Sequence, residues 1–95
     1  MKQGVYPTNA AGELGTWHGL EVGVWECPPS TETDTEADEL FVVLHGRATI
    51  DFTDPPQPSI EIGPGDVVRL HDGQQTVWTV HETIRKVYVT PKEQQ

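Results

Sequence analysis

Two short segments limit what this chain can fold into. The first is Glu39-Leu40-Phe41-Val42-Val43-Leu44-His45-Gly46, an apolar run of strand length with six residues between its leading carboxylate and its closing glycine. The second is Gly63-Pro64-Gly65-Asp66, a tight-turn signal, which leads into Val67-Val68-Arg69-Leu70. A β-branched run entered through an acid, followed by a close reversal into another such run, describes an antiparallel sheet protein.

The rest of the chain repeats this grammar. Leu20, Val22 and Val24 alternate with Glu21, Gly23 and Trp25, and Pro28-Pro29 ends that strand after Cys27. Gly46 reads as a sharp turn into Arg47-Ala48-Thr49-Ile50-Asp51-Phe52, and Pro55-Pro56-Gln57-Pro58 as a stiff loop before Ser59-Ile60-Glu61-Ile62. Asp72-Gly73 marks another turn. Thr76–Val80 and Ile84–Val89 have the β-branched and aromatic composition of two more strands. Ser30 to Asp38 is polar throughout, with acids at every second position, and reads as a solvated loop or an exposed edge strand. Residues 1–16 show no period and are expected to lie extended across the barrel or to be partly loose. No segment combines a cap with a 3.6-residue period. The pattern predicts an all-β sandwich, jelly roll or small barrel.

Composition bounds the function. Ninety-five residues make one domain with a modest core, so association with a second copy would help it. A formal charge of −9 disfavours nucleic acid and anionic membranes, because no basic stripe exists to meet phosphates. Cys27 stands alone, which rules out an internal disulfide and a Cys-rich metal site. The start of the sequence has no apolar signal region, and no apolar run approaches membrane-spanning length, so the cytoplasm is the expected compartment.

Further segments narrow the reading. Gly23-Val24-Trp25-Glu26-Cys27-Pro28-Pro29 and Trp78-Thr79-Val80-His81-Glu82-Thr83-Ile84-Arg85-Lys86-Val87-Tyr88-Val89, taken with the Glu39 to Gly46 run and the Gly63 to Asp66 turn, resemble the short single-domain cupins. The resemblance is to the subfamily grouped with ureidoglycine aminohydrolase and the ethanolamine-utilisation cupins, and it runs from about Gly19 to Thr90. It implies a cupin-type jelly-roll barrel over residues 19–90, preceded by an extension (1–18) of the same domain and followed by a tail (91–95). It also implies a pocket at the open end and often a homodimer.

Metal-binding cupins place two histidines shortly before the motif glutamate, here Glu39. With four intervening residues those positions fall on Glu32 and Asp34, and with three on Thr33 and Thr35. The later ligand position falls on Thr76, and His18, His45, His71 and His81 all lie elsewhere. Transition metals in such sites depend on imidazole nitrogen. The expectation is therefore a barrel without a bound metal. The alternative is a weakly held divalent ion on Glu32, Asp34 and Glu39.

Strand alternation sends Glu39, Phe41 and Val43 to one face, and Thr76, Trp78 and Val80 to one face. Trp25 has the opposite parity to Val22 and Val24 and is expected to reach the mouth. A cavity of Trp25, Phe41, Thr76 and Trp78 around Glu39 suits a small, partly apolar ligand with a donor or cationic group. The same indoles also serve as core filler in a small barrel. Glu39 requires partners if buried; Arg47, Arg69 or backbone donors would make it structural, and their absence would make it an acid or base. His71 is the candidate for histidine chemistry. Arg85 and Lys86 fall on opposite faces, as a surface charge and an ion-pair member or as a cation at the pocket rim or an interface. Three functions remain open: a metal-free barrel binding a small molecule; an enzyme on a small nitrogenous or carbonyl metabolite, using a weak metal or Glu39 with His71; and a filled structural barrel.

Overall fold

The computed structural model describes residues 4–92, so the outermost residues of the N-terminal extension and of the C-terminal tail lie outside the described residues. Seven strands follow in chain order: β1 (Gly12–Trp17), β2 (Leu20–Cys27), β3 (Ser30–Thr35), β4 (Glu39–Asp54), β5 (Pro56–Ile62), β6 (Val67–Leu70) and β7 (Gln75–Pro91). No helix occurs among the described residues, and none is long and apolar enough to cross a membrane.

All pairings are antiparallel, and the two longest strands are shared between two layers. The first half of β4 and the second half of β7 build one sheet, in the order β1-β2-β7-β4-β6. The second half of β4 and the first half of β7 build the other, in the order β3-β7-β4-β5. The result is a jelly roll. Its core holds Phe41, Val43, Ile50, Leu70, Trp78 and Ile84, each at most 4 % exposed.

The corner between the sheets differs from the sequence expectation. Gly46 does not end a strand; it sits at an irregularity within β4, where the register to β7 shifts on both sides of it. Its φ is +94°, and a Cβ there would meet the backbone of Thr83 and lie 2.5 Å from Ile84 Cα. The close approach lets β4 and β7 bend together from one sheet into the other. For the same reason Thr76–Val80 and Ile84–Val89 are one strand, since hydrogen bonding carries through the bend.

Other expectations change at the edges. Prolines 56 and 58 belong to β5, which pairs only with β4, so the missing N–H groups fall on an edge strand. The polar segment from Ser30 is an edge strand that pairs only with β7. The aperiodic start contributes β1, because pairing to β2 there is made by backbone groups that need no side-chain pattern. The Gly63 to Asp66 turn forms as read: Asp66 Oδ2 accepts from Gly63 N at 2.8 Å, and Gly65 takes φ +90°.

Candidate functional site

Strand parity builds the open end of the barrel. Trp25 and Lys86 are cross-strand partners, as are Phe41 and Tyr88, so these four share the inner face of the first sheet. Glu32 faces Trp78 and Asp34 faces Thr76 across β3 and β7, which puts these four on the inner face of the second. Between the two lies a cavity of about 770 Å³.

Lys86 occupies the centre of this mouth. Its residue is only 5 % exposed. The ammonium lies 2.6 Å from Glu39 Oε2. It also stands 4.2 Å from the Phe41 ring centroid and 4.8 Å from those of Trp25 and Trp78. The rings support one another, with Trp25 and Trp78 edge to face at 5.4 Å. Three π faces and one carboxylate offset the desolvation of a buried cation. Glu39 Oε2 has no well-directed hydrogen-bond donor, so its contact with Lys86 is an ionic one. Neither Arg47 nor Arg69 pairs with it: Arg47 meets Glu82, and Arg69 meets Asp38.

A second carboxylate is compensated differently. Glu36 follows β3 and is 5 % exposed. Its Oε2 accepts from Thr76 Oγ1 at 2.7 Å and from Trp78 Nε1 at 2.9 Å. Its backbone is fastened to the β6–β7 turn, with Glu36 N donating to Gln74 O and Gly73 N donating to Glu36 O, both at 2.8 Å. Neutral donors thus hold a buried acid with no cation in contact among the described residues. The consequence appears at Asp34, whose carboxyl is pushed above its ordinary value by burial first and by the neighbouring Glu36 charge second; the Thr35 backbone N–H and Lys86 oppose the rise. On the opposite wall, burial and a 2.6 Å hydrogen bond to Glu21 push the Tyr88 hydroxyl up to about 12.

The structure brings together Trp25, Glu39, Trp78, Glu32 and Asp34, all of which line the cavity. Phe41 lies beneath Lys86, buried in the core rather than in the cavity wall. Thr76 is buried as the donor to Glu36. His71 is exposed, and its backbone N donates to Gln74 Oε1 in the β6–β7 turn, so its ring does not line the cavity. Among the described residues no three His, Cys, Asp or Glu side chains gather at metal-binding spacing, Glu32, Asp34 and Glu39 included.

Two central residues are only partly legible in the sequence: Lys86, one of the Arg85–Lys86 pair read as an ion-pair member or a rim or interface cation, and Glu36, which falls within the polar segment after Pro29. Lys86 lies on a strand whose faces are both apolar, Ile84 and Tyr88 on one and Val87 and Val89 on the other, so alternation does not reveal which face is inside. Glu36 had a usable signal. A buried Trp78 requires an acceptor for its N–H, and Glu36 shares the period of Glu32 and Asp34.

Comparison with known proteins agrees with this architecture. The sequence profile of the EutQ-like cupin domain matches residues 10–88. No curated protein matches the chain. A crystal structure of a protein of unknown function from Rhizobium leguminosarum bv. viciae 3841 is similar at 26 % identity and TM-score 0.74, over 92 % of this chain and 84 % of that one. A DUF861 family protein from Thermotoga maritima is similar at 27 % identity and TM-score 0.63, over 68 % and 73 %. The Clostridium difficile EutQ protein shares the fold at 22 % identity and TM-score 0.74, over 86 % of this chain and 66 % of that longer one. With the jelly roll and its open mouth in place, and the profile spanning most of the sequence, this chain belongs to the EutQ-like cupin domain family.

Proposed function

We propose that this cupin binds a small organic cation, an amine with a partly apolar body, in the mouth of the barrel. The observation that carries the reading is the charge of the cavity wall. Glu32, Asp34, Glu36 and Glu39 line it against one ammonium, Lys86, while a fifth acid, Glu26, is tied to Arg85. The wall around Asp34 and Glu36 is under-compensated: the Asp34 carboxyl is raised by burial first and by the Glu36 charge second, and Lys86 does not offset the two. Glu36 Oε2 is committed to Thr76 and Trp78, and Oε1 accepts no hydrogen bond from the described residues. Trp25 and Trp78 offer apolar surface beside it. A ligand ammonium would bridge Asp34 and Glu36 while its body packs on the indoles.

On this reading binding requires no metal, and stoichiometric Mn, Fe, Zn or Ni in freshly purified protein would overturn that part. The ligand class is tested on the full chain by calorimetry and thermal shift with a matched set: benzylamine, benzyl alcohol and benzoate. The expected result is saturable binding of the amine, weakened about tenfold by Glu36→Gln, which would correspond to losing one charge-assisted contact of about 1.4 kcal/mol. Preferential binding of benzoate, or amine affinity unchanged in Glu36→Gln, would reject the proposal.

A further inference from the structure

Amine binding at Asp34 and Glu36 leaves Lys86, the amine already in the mouth, without a part. Its residue is only 5 % exposed, and it still lines the cavity, on the inner face of β7 beside Trp25. Its Nζ lies 2.6 Å from Glu39 Oε2 and faces the rings of Phe41, Trp25 and Trp78. Glu39 Oε2 is buried and accepts no hydrogen bond from the described residues, so it has a lone pair free to take a proton. A purely structural ion pair is sealed in a core, whereas this one ends at a cavity of about 770 Å³. A lysine in an apolar site, in contact with a proton acceptor and open to a ligand, is equipped to attack a carbonyl group.

We infer that Lys86 captures a small uncharged aldehyde in the barrel mouth as a reversible imine. Glu39 takes one proton from the ammonium, and the freed Nζ lone pair forms a bond to the carbonyl carbon. The carbonyl oxygen takes a second proton from Nζ and, with the proton returned by Glu39, leaves as water. One N–C double bond replaces two N–H bonds, nothing is oxidised or reduced, and the product is an iminium. The site therefore keeps its single positive charge, and the rings and the Glu39 carboxylate that stabilise the ammonium stabilise the iminium as well. Enclosure limits the water that would hydrolyse it. Three rings around Nζ leave less room for the second substituent of a ketone. Glu32, Asp34 and Glu36 on the cavity wall repel an aldehyde that carries a carboxylate. The step needs no contact with Asp34 or Glu36, so it stands or falls apart from amine binding.

The test is reductive trapping on the full chain with benzaldehyde and cyanoborohydride near neutral pH, followed by peptide mapping of the benzylated lysines. Lys92, exposed and paired with Glu13, is the internal control. Lys86 is expected to label roughly tenfold faster than Lys92, at a rate that saturates with benzaldehyde while that of Lys92 rises linearly. 4-Carboxybenzaldehyde, similar in shape but anionic, should label Lys86 roughly tenfold more slowly than benzaldehyde does. Glu39→Gln should slow labelling of Lys86 by roughly tenfold or more and leave Lys92 unchanged. Near-ultraviolet dichroism of the Trp25–Trp78 pair checks that the mouth of this variant is intact. Preferential labelling of Lys92 in the wild type, or a linear dependence at Lys86, would overturn the proposal without recourse to any variant. Equal labelling of Lys86 by the two aldehydes, or a folded Glu39→Gln variant that labels as fast as the wild type, would also reject it.

Discussion

The two walls of the barrel mouth bury the same functional group by different means. On the first sheet Glu39 is met by a full charge, the Lys86 ammonium, itself enclosed by Phe41, Trp25 and Trp78. On the wall formed with the second sheet, Glu36 is met by a hydroxyl and an indole N–H. The first wall is closed to further charge, because its cation and anion satisfy each other. The second retains negative charge, and Asp34, raised first by its burial and then by that charge, holds its proton more tightly. The lesson is that hydrogen-bond satisfaction and charge neutralisation are separate requirements. A carboxylate that has the first without the second marks where a cation would be recognised.

The largest perturbation removes the joint that sets the walls against each other. Gly46→Ala places a methyl group against the Thr83 and Ile84 backbone at a φ of +94°. Left-handed strain of roughly 1–2 kcal/mol and overpacking of roughly 1–3 kcal/mol combine to about 4 kcal/mol, a large share of a small domain's stability. Denaturant unfolding is expected to show a much lower midpoint, or no cooperative transition.

A smaller effect separates the two carboxylates. Lys86→Met keeps the volume and removes the charge, leaving Glu39 unpaired, at a cost of about 3 kcal/mol. For a domain of this size that lowers Tm by roughly 15 °C. Adding Glu39→Gln should restore most of the loss, since an amide needs no counter-ion. Glu36→Gln keeps an oxygen acceptor for Thr76 and Trp78 and should cost no more than about 1 kcal/mol. Equal losses in Lys86→Met and Glu36→Gln would erase the distinction between the walls.

The smallest effect is a stabilisation. The folded state raises the Asp34 pKa above its ordinary 3.8, so it binds this proton more tightly than the unfolded chain does. That contribution is fully present below 3.8 and is lost as pH rises through the folded value. Asp34→Asn should therefore match the wild type in acid and gain a small increase in Tm at neutral pH, while losing affinity for the amine. Thermal melts across that pH range check the sign, and a variant less stable at neutral pH would show that Asp34 is already compensated.

The barrel was legible at the level of strand faces. That Glu39, Phe41 and Val43 share one face, and Thr76, Trp78 and Val80 share one face, follows from a period of two, and burial in the fold shows that both faces point inward. The Gly63 to Asp66 turn was equally legible, because Gly and Asp have specific roles there. Gly46 was placed as a turn because sequence shows a glycine's freedom without showing the neighbour that demands it. His71 stands near the mouth in sequence order but out in solvent in space.

The resemblance to small cupins supplied the jelly roll and the ligand positions from which imidazoles are missing; sequence alone decided that this is an antiparallel β protein of short reversals and that Glu39 opens a strand with Phe41 and Val43 on its own face. These rest on local rules: side-chain alternation, turn chemistry and spacing. Only the tertiary structure decided which cation Glu39 meets and that Glu36 is buried against Thr76 and Trp78. Those depend on residues far apart in the chain, Glu39 with Lys86 and Glu36 with Trp78. Their pairing is set by the registers of β4 and β3 against β7, which no local pattern encodes.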